Sequence, residues 1–262
     1  MGLDLNNVKK RLENLNNKGK KKTYEKIDYT KYFFKPKAEK YQIRFVPSKF
    51  DTGTCFREIY LHYGLKTYPI VALTNFGEKD PVVDFCESLR KTSDKENWSL
   101  AKKLEPKMRI FAPVIVRGEE DKGVRLWEFG LTTYKQLLAT ADDEDYGDFT
   151  DITDGRDFTL EGTETETAGR PSISCQVRIK PKSTPLSTDA TAVEKWLTDQ
   201  PDVLSLRKHF GYDELKDILY KWMNPEETPS EETEAPESGE LHVGNVAKTT
   251  TSDKFANLFD KK

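Results

Sequence analysis

The placement of apolar residues along the chain limits what it can fold into more than any other feature. Residues 225–240 read PEETPSEETEAPESGE, with seven glutamates, no base and almost nothing to bury. Such a stretch cannot offset the entropy of ordering it, so disorder is the expectation there. At the other end, MGLDLNNVKKRLENLNNKGKKK sets Leu3, Leu5, Val8, Leu12 and Leu15 near helical spacing among Lys9, Lys10 and Arg11. That is enough for a short basic amphipathic helix but not for a core. It ends in Asn-Asn, Gly19 and the cluster Lys20, Lys21 and Lys22. A packed domain is therefore expected over residues 25–224, between a basic arm at 1–24 and an acidic tail at 225–262.

Charge follows the same division. The net charge of −3 over 262 residues is a sum of opposed blocks. Residues 1–49 hold 14 Lys/Arg against 5 Asp/Glu, a balance of +9, and residues 141–170 hold 11 acids against 2 arginines, a balance of −9. A basic arm, a mixed middle and an acidic low-complexity tail make the pattern of a protein that meets a polyanion and carries its own competitor for that site. No run of about 18 apolar residues is present, and the first residues lack the apolar centre of a secretion signal, so a cytosolic protein is expected. Gly2 is followed by Asn6 where a myristoylation site has Ser or Thr. Cys55, Cys86 and Cys175 lie far apart, as expected of reduced, inert thiols rather than a disulfide framework or a cysteine-rich metal site.

From Tyr41 onward, YQIRFVPS, CFREIYLHYG, FAPVIVRG, VRLWEFG and SISCQVRIKP carry the period-2 pattern of half-buried strands. DPVVDFCESLRKT reads as a short helix after Pro81, and TTYKQLLATA as another packed over the sheet. This succession predicts an α+β fold, mainly β, with a barrel core rather than a doubly wound sheet. The acidic block at 141–170 reads as a solvated, hairpin-bearing insertion, and residues 190–223 as about three short helices broken at Pro201 and Gly211.

Few residues point to catalysis. His62, His209 and His242 are scattered, and His62 has only Cys86 and Asp80 or Asp84 as neighbouring candidates, too few for structural zinc; it is expected to be an ordinary strand residue. No phosphate-binding glycine loop or nucleophile motif is present. The acids of 142–157 lack calcium-loop spacing, and a metal-dependent nuclease using them is the enzymatic alternative to a plain solvated lobe. The interleaving of rings and cations carries more. A single nucleic-acid strand offers a phosphate at each nucleotide and an exposed π face on each unpaired base, so its groove needs cations with rings between them. Tyr41, Arg44, Phe45, Lys49, Arg57, Tyr63, Lys66 and Tyr68 form one such series. Trp98, Lys102, Lys103, Lys107, Arg109, Phe111, Arg125, Trp127 and Tyr134 form another. In VRLWEF, Arg125, Trp127 and Phe129 share one face of a strand, expected to be cationic and aromatic. Rings of this kind do not separate DNA from RNA, and an RNA-binding regulator stays open beside the DNA reading.

IRFVPSK at 43–49, WSLAKK at 98–103 leading into VIV at 114–116, and KGVRLWEFG at 122–130 occur in an order that resembles the single-stranded DNA-binding, helix-destabilising protein of T4-type bacteriophages. The resemblance covers roughly residues 40–140, and the arm, late helices and tail only by layout. It implies an OB-fold core that binds single-stranded DNA with little sequence preference, in replication, recombination and repair, within the cytoplasm of an infected host cell. It implies a basic arm that binds the neighbouring copy, with KKKT at 20–23 the nearest match to the family's motif, and an acidic tail that recruits replication proteins. Trp98 and Trp127, with Phe111, fall where the family places groove aromatics, and Lys102 and Lys103 fall in its basic stretch. The best-known member's zinc is expected to be absent, because DPVV at 80–83 has Asp80 and Val83 in place of both cysteines. VALTNF and VVDFCESL are expected to pack as a small apolar subdomain instead. The tail departs too, since it closes on SDKFANLFDKK, in which Phe255, Leu258 and Phe259 form one apolar stripe suited to docking on a replication partner.

Overall fold

The computed structural model describes residues 29–167 and 169–224. The expectations for Lys9, Lys10, Arg11, Lys20, Lys21 and Lys22 in the arm, and for Phe255, Leu258 and Phe259 in the tail, lie outside the described residues.

The described chain begins with a helical turn, α1 (Tyr29–Tyr32), that runs directly into β1 (Phe33–Phe34). There follow β2 (Lys40–Phe45), β3 (Arg57–His62), β4 (Ile70–Val71), α2 (Pro81–Arg90), α3 (Lys95–Leu104), β5 (Lys107–Val116), β6 (Arg125–Phe129) and α4 (Leu131–Ala141). The long hairpin β7 (Arg156–Thr167) and β8 (Arg170–Ser183) comes next, then α5 (Ala190–Thr198) and α6 (Tyr212–Met223). The fold is α+β. Its eight strands make one sheet in the order β1-β6-β5-β2-β7-β8, with β3 and β4 branching from β5, and every pairing is antiparallel except β1 with β6.

β5 organises the whole. Its first half pairs with β3, from Lys107 opposite Leu61 to Phe111 opposite Arg57, and its end pairs with β2, from Val114 opposite Phe45 to Val116 opposite Ile43. β6 lies along its other edge. Both faces of this strand are covered. Ile110, Ala112, Val114 and Val116 enter the main core with Ile43, Phe45, Trp127, Phe129 and Phe158. Phe111 points the other way, to Phe33, Ile59, Leu61, Leu126 and Val203, and Ile115 joins Val46, Val124, Leu186 and Trp196.

VVDFCESL packs in a small apolar subdomain, to which VALTNF contributes Leu73, while Val71 joins the Phe111 cluster and Phe76 is exposed. In α2, Val82, Phe85, Cys86 and Leu89 recur at helical spacing and pack against Ala101 and Leu104 of α3 and Leu215 and Leu219 of α6. Asp80 starts α2 by accepting hydrogen bonds from the amides of Val82 and Val83, with Pro81 in the first helical position where no donor is needed. The same carboxylate also accepts from the Leu73 amide and stands 2.9 Å from Nε2 of His62, while Nδ1 of that ring lies 3.3 Å from the Leu104 carbonyl. His62 is thus more than an ordinary strand residue: it ties β3 to the subdomain. Burial pushes the Asp80 carboxyl up, but the His62 contact and the backbone donors outweigh it and leave it below the usual value.

Two sequence expectations change, and one helix appears where none was expected. Residues 95–104 form α3, which the ring-and-cation pattern of NWSLAKKL hid. Residues 156–167 are no appendage: β7 pairs with β2 along one edge and β8 along the other. Residues 190–223 give two helices, because Asp202 caps a single turn through the amide of Leu204 and the hydroxyl of Ser205, and the chain then leaves helical geometry until Gly211. No helix among the described residues is long and apolar enough to cross a membrane.

Candidate nucleic-acid interface

Five of the expected groove residues, Arg44 among them, are buried. Trp127 is 1% exposed in the main core, packed at 4.6 Å against the Phe129 ring, and Phe111 and Phe45 are equally enclosed. Arg125 lies over the Phe34 ring at 5.4 Å and pairs with Glu119. Arg125, Trp127 and Phe129 do share a face, as the period-2 reading requires, but it is the face that the main core covers. Alternation marks a solvent face only where one side of the sheet is left open, and the side that Arg125, Trp127 and Phe129 share is closed.

Arg44 is fully buried. Its Nη2 donates to the carbonyls of Asp151 and Thr184, both at 2.8 Å, and Nη1 faces Asp157 at 3.4 Å. Arg117 grips the same Asp157 through Nε and Nη2, and Gln42 donates to it as well. Gly155 permits this arrangement, since a Cβ there would stand 2.4 Å from Nη2 of Arg44. Burial pushes the Asp157 carboxyl up, but its arginine and glutamine donors outweigh this and hold it below the ordinary value.

Other expected residues have local partners. Arg57 pairs with Asp202 at 2.8 Å, and Lys49 donates to the Thr198 carbonyl. The Tyr41 hydroxyl donates to Glu39, and that of Tyr134 to Glu58 at 2.9 Å. Burial, aided by Glu58, pushes Tyr134 up to about 12.

The remainder come together. Tyr63, Lys66 and Tyr68 lie on the segment that leaves β3, and Lys107 and Arg109 open β5 beside it. They meet the segment between α5 and α6. Arg207 lies over the rings of Phe33 and Phe111, its guanidinium carbon 5.7 Å from each. Lys208 sits 4.3 Å above the Phe210 ring, and Lys66 is within 5.9 Å of both Tyr68 and Phe210. Tyr29 donates to the Leu206 carbonyl and contacts the Phe33 ring. Tyr29 and Tyr68 keep much of their rings in solvent. The result is a surface along the seam between sheet and subdomain that carries Lys66, Arg109, Arg207 and Lys208 beside Glu128 and Glu214. Burial first, then Glu128, pushes the Tyr63 hydroxyl up to about 12, so it remains a donor at neutral pH.

α3 adds a second element. Trp98 is the most exposed of the large apolar side chains among the described residues, at 53%, and the Arg90 guanidinium covers it at 5.3 Å. Lys102 follows one turn later on that side of the helix, whereas Lys103 points away, nearer Glu96. Lys107 donates to the Lys102 carbonyl, joining this helix to the start of β5.

Tyr29, Arg207 and Lys208 belong to the surface although no motif marks them. The one local signal is LRKHF at 206–210, a further ring-and-cation mixture that helical periodicity masks. Among the acids of 142–157, Asp143, Asp148 and Asp151 serve local turns by accepting from amides two residues on, and Asp157 holds the arginines described above. Backbone and threonine donors of the turn lower Asp151 to about 2. Among the described residues no group of three or more His, Cys, Asp or Glu stands ready to hold a metal ion. Cys55, Cys86 and Cys175 are free, and burial pushes each thiol up. No family model matches the chain, and no curated protein matches it either.

Proposed function

We propose that this chain is a cooperative, largely sequence-independent single-stranded DNA-binding protein of the T4-phage type, without enzymatic activity, built on an OB-fold core. It coats and protects unpaired DNA in replication, recombination and repair. The observation that carries the reading is the seam surface, where exposed rings of Tyr29 and Tyr68 alternate with Lys66, Arg109, Arg207 and Lys208 as stacked bases and phosphates require. The branching of β5 between two sets of partners supports the OB-fold assignment. Binding only the unpaired strand draws the duplex equilibrium toward melting by mass action. The basic arm supplies contacts between neighbouring copies, and the tail engages replication proteins.

The test is a fluorescence titration with a homopolymeric DNA strand, a matched RNA strand and a duplex, each at several salt concentrations. Tight, salt-sensitive binding to the DNA strand with weak duplex binding is expected. Preference for RNA would move the assignment to an RNA-binding regulator, and binding to none of the three would overturn it.

A further inference from the structure

Within the seam surface one residue has the wrong charge for a polyanion partner. Glu128 stands opposite Phe111 in the β5–β6 ladder, on the face that also carries Arg109. Arg109 donates from Nε to its Oε1 at 2.9 Å, Tyr63 donates to the same oxygen at 3.4 Å, and Arg207 brings Nη2 to 3.7 Å from Oε2. One carboxylate therefore holds two guanidiniums and a phenol. The stacking of Arg207 on Phe33 and Phe111 fixes it from below. Arg109 is guided past Gly130, where a Cβ would stand 3.2 Å from Nη1. Because Arg109 reaches Glu128 through Nε, its Nη1 and Nη2 have no acceptor among the described residues.

By charge alone, Glu128 should weaken the attraction of this surface for phosphate. Its geometry does something else. Two long, flexible arginines standing free would each lose side-chain entropy on binding, whereas two held against a rigid strand have lost it already. We propose that Glu128 is a positioning residue that sets Arg109 and Arg207 side by side as a clamp for one backbone phosphate. The clamp uses the planar, forked donors that guanidinium has and ammonium lacks. This inference rests on the single-strand reading given above.

The two views of Glu128 make opposite predictions, which an experiment on the full chain separates. Binding of an oligothymidylate is measured by fluorescence over a salt series for the wild type, Glu128→Ala, Glu128→Gln and Arg207→Lys, with a thermal unfolding curve for each. The clamp predicts that Glu128→Ala binds about tenfold more weakly although it removes a negative charge, a drop the size of one charge-assisted hydrogen bond. Arg207→Lys, which keeps the charge and loses the fork, should fall by a similar factor. Tighter binding by Glu128→Ala, or unchanged binding by Arg207→Lys, would overturn the clamp while leaving the single-strand reading in place. Should the alanine variant fail to fold, Arg207→Lys and the isosteric Glu128→Gln decide the question by the same criteria. A wild type that binds no strand removes both ideas together.

Discussion

Two carboxylates in this protein each hold a pair of arginines, and they do so to different ends. Asp157, with only 8% of its side chain exposed, binds Arg44 and Arg117, whose Nη groups also reach the carbonyls of Asp151, Thr184 and Leu186, while Nε of Arg44 is buried without a partner. Glu128, with 27% exposed, binds Arg109, which is 35% exposed, and Arg207, which is 13% exposed beneath it, and donors of Arg109 are left over. The same residue types make a structural tie where the backbone closes around them and, on the reading proposed above, a recognition surface where it does not. What separates the two is the supply of nearby carbonyls, a property of the fold rather than of any short sequence.

That contrast is open to attack at several points. The largest effect should come from Asp157→Ala, which leaves Arg44 buried without its counter-charge and should cost about 3–5 kcal/mol in urea denaturation. Glu128→Ala, at a half-open site, should change stability by less than about 1 kcal/mol. Equal losses would abolish the distinction. The two tryptophans extend the comparison from charge to rings. Trp127→Ala opens a cavity in the main core and should cost about 3–5 kcal/mol of stability. Trp98→Ala should leave stability within about 0.5 kcal/mol and cost about 1–3 kcal/mol of single-strand affinity if a base stacks on the ring. A destabilised Trp98 variant that binds normally would take α3 out of the interface.

Acid provides a third comparison. The Asp157 and Asp80 carboxyls are both lowered from the ordinary 3.8, so their contribution is complete above that value and disappears as pH falls through the lowered ones. Urea midpoints measured downward from pH 5 should therefore drop below about pH 4, and Asp157→Asn should flatten the profile. A profile indifferent to that substitution would contradict the assignment. The smallest expected effect is on salt dependence: Lys66→Ala and Lys208→Ala should each make the slope of log affinity against log salt shallower by about 0.7 for every phosphate the removed ammonium had neutralised. An unchanged slope places that lysine off the strand's path.

Much of the sheet was legible before the structure. β2, β3, β5, β6 and β8 follow the alternating segments, and α2 announces itself through Asp80, Pro81 and its spaced apolar residues. Burial was not legible. Phe111, Trp127 and Arg125 look like groove residues because alternation reveals that a strand has two faces without saying how many are covered. Arg44 looks like a phosphate ligand because its acceptors, the carbonyls of Asp151 and Thr184, come from more than a hundred residues away. Tyr63, Tyr68, Lys107 and Arg109 were legible as types, but not as one surface. The segment that joins them, from Leu206 to Phe210, reaches the seam only through the turn that Asp202 caps.

The edge of the sheet has a bearing on crowding. Gly162 of β7 directs its amide to Glu39 on the β2 side, so its ladder partner Cys175, and with it Pro171, Ile173, Val177 and Ile179, turn their main-chain groups away from β7. An edge of this kind is a template for any other extended chain. Pro171 removes one donor from that row, and the irregular pairing that sets Arg156 opposite Ser183 and Phe158 opposite Ile179 breaks its line at the other end. Molecules packed shoulder to shoulder thus meet an edge bounded at both ends, on which only the stretch from Ile173 to Ile179 offers a register to extend.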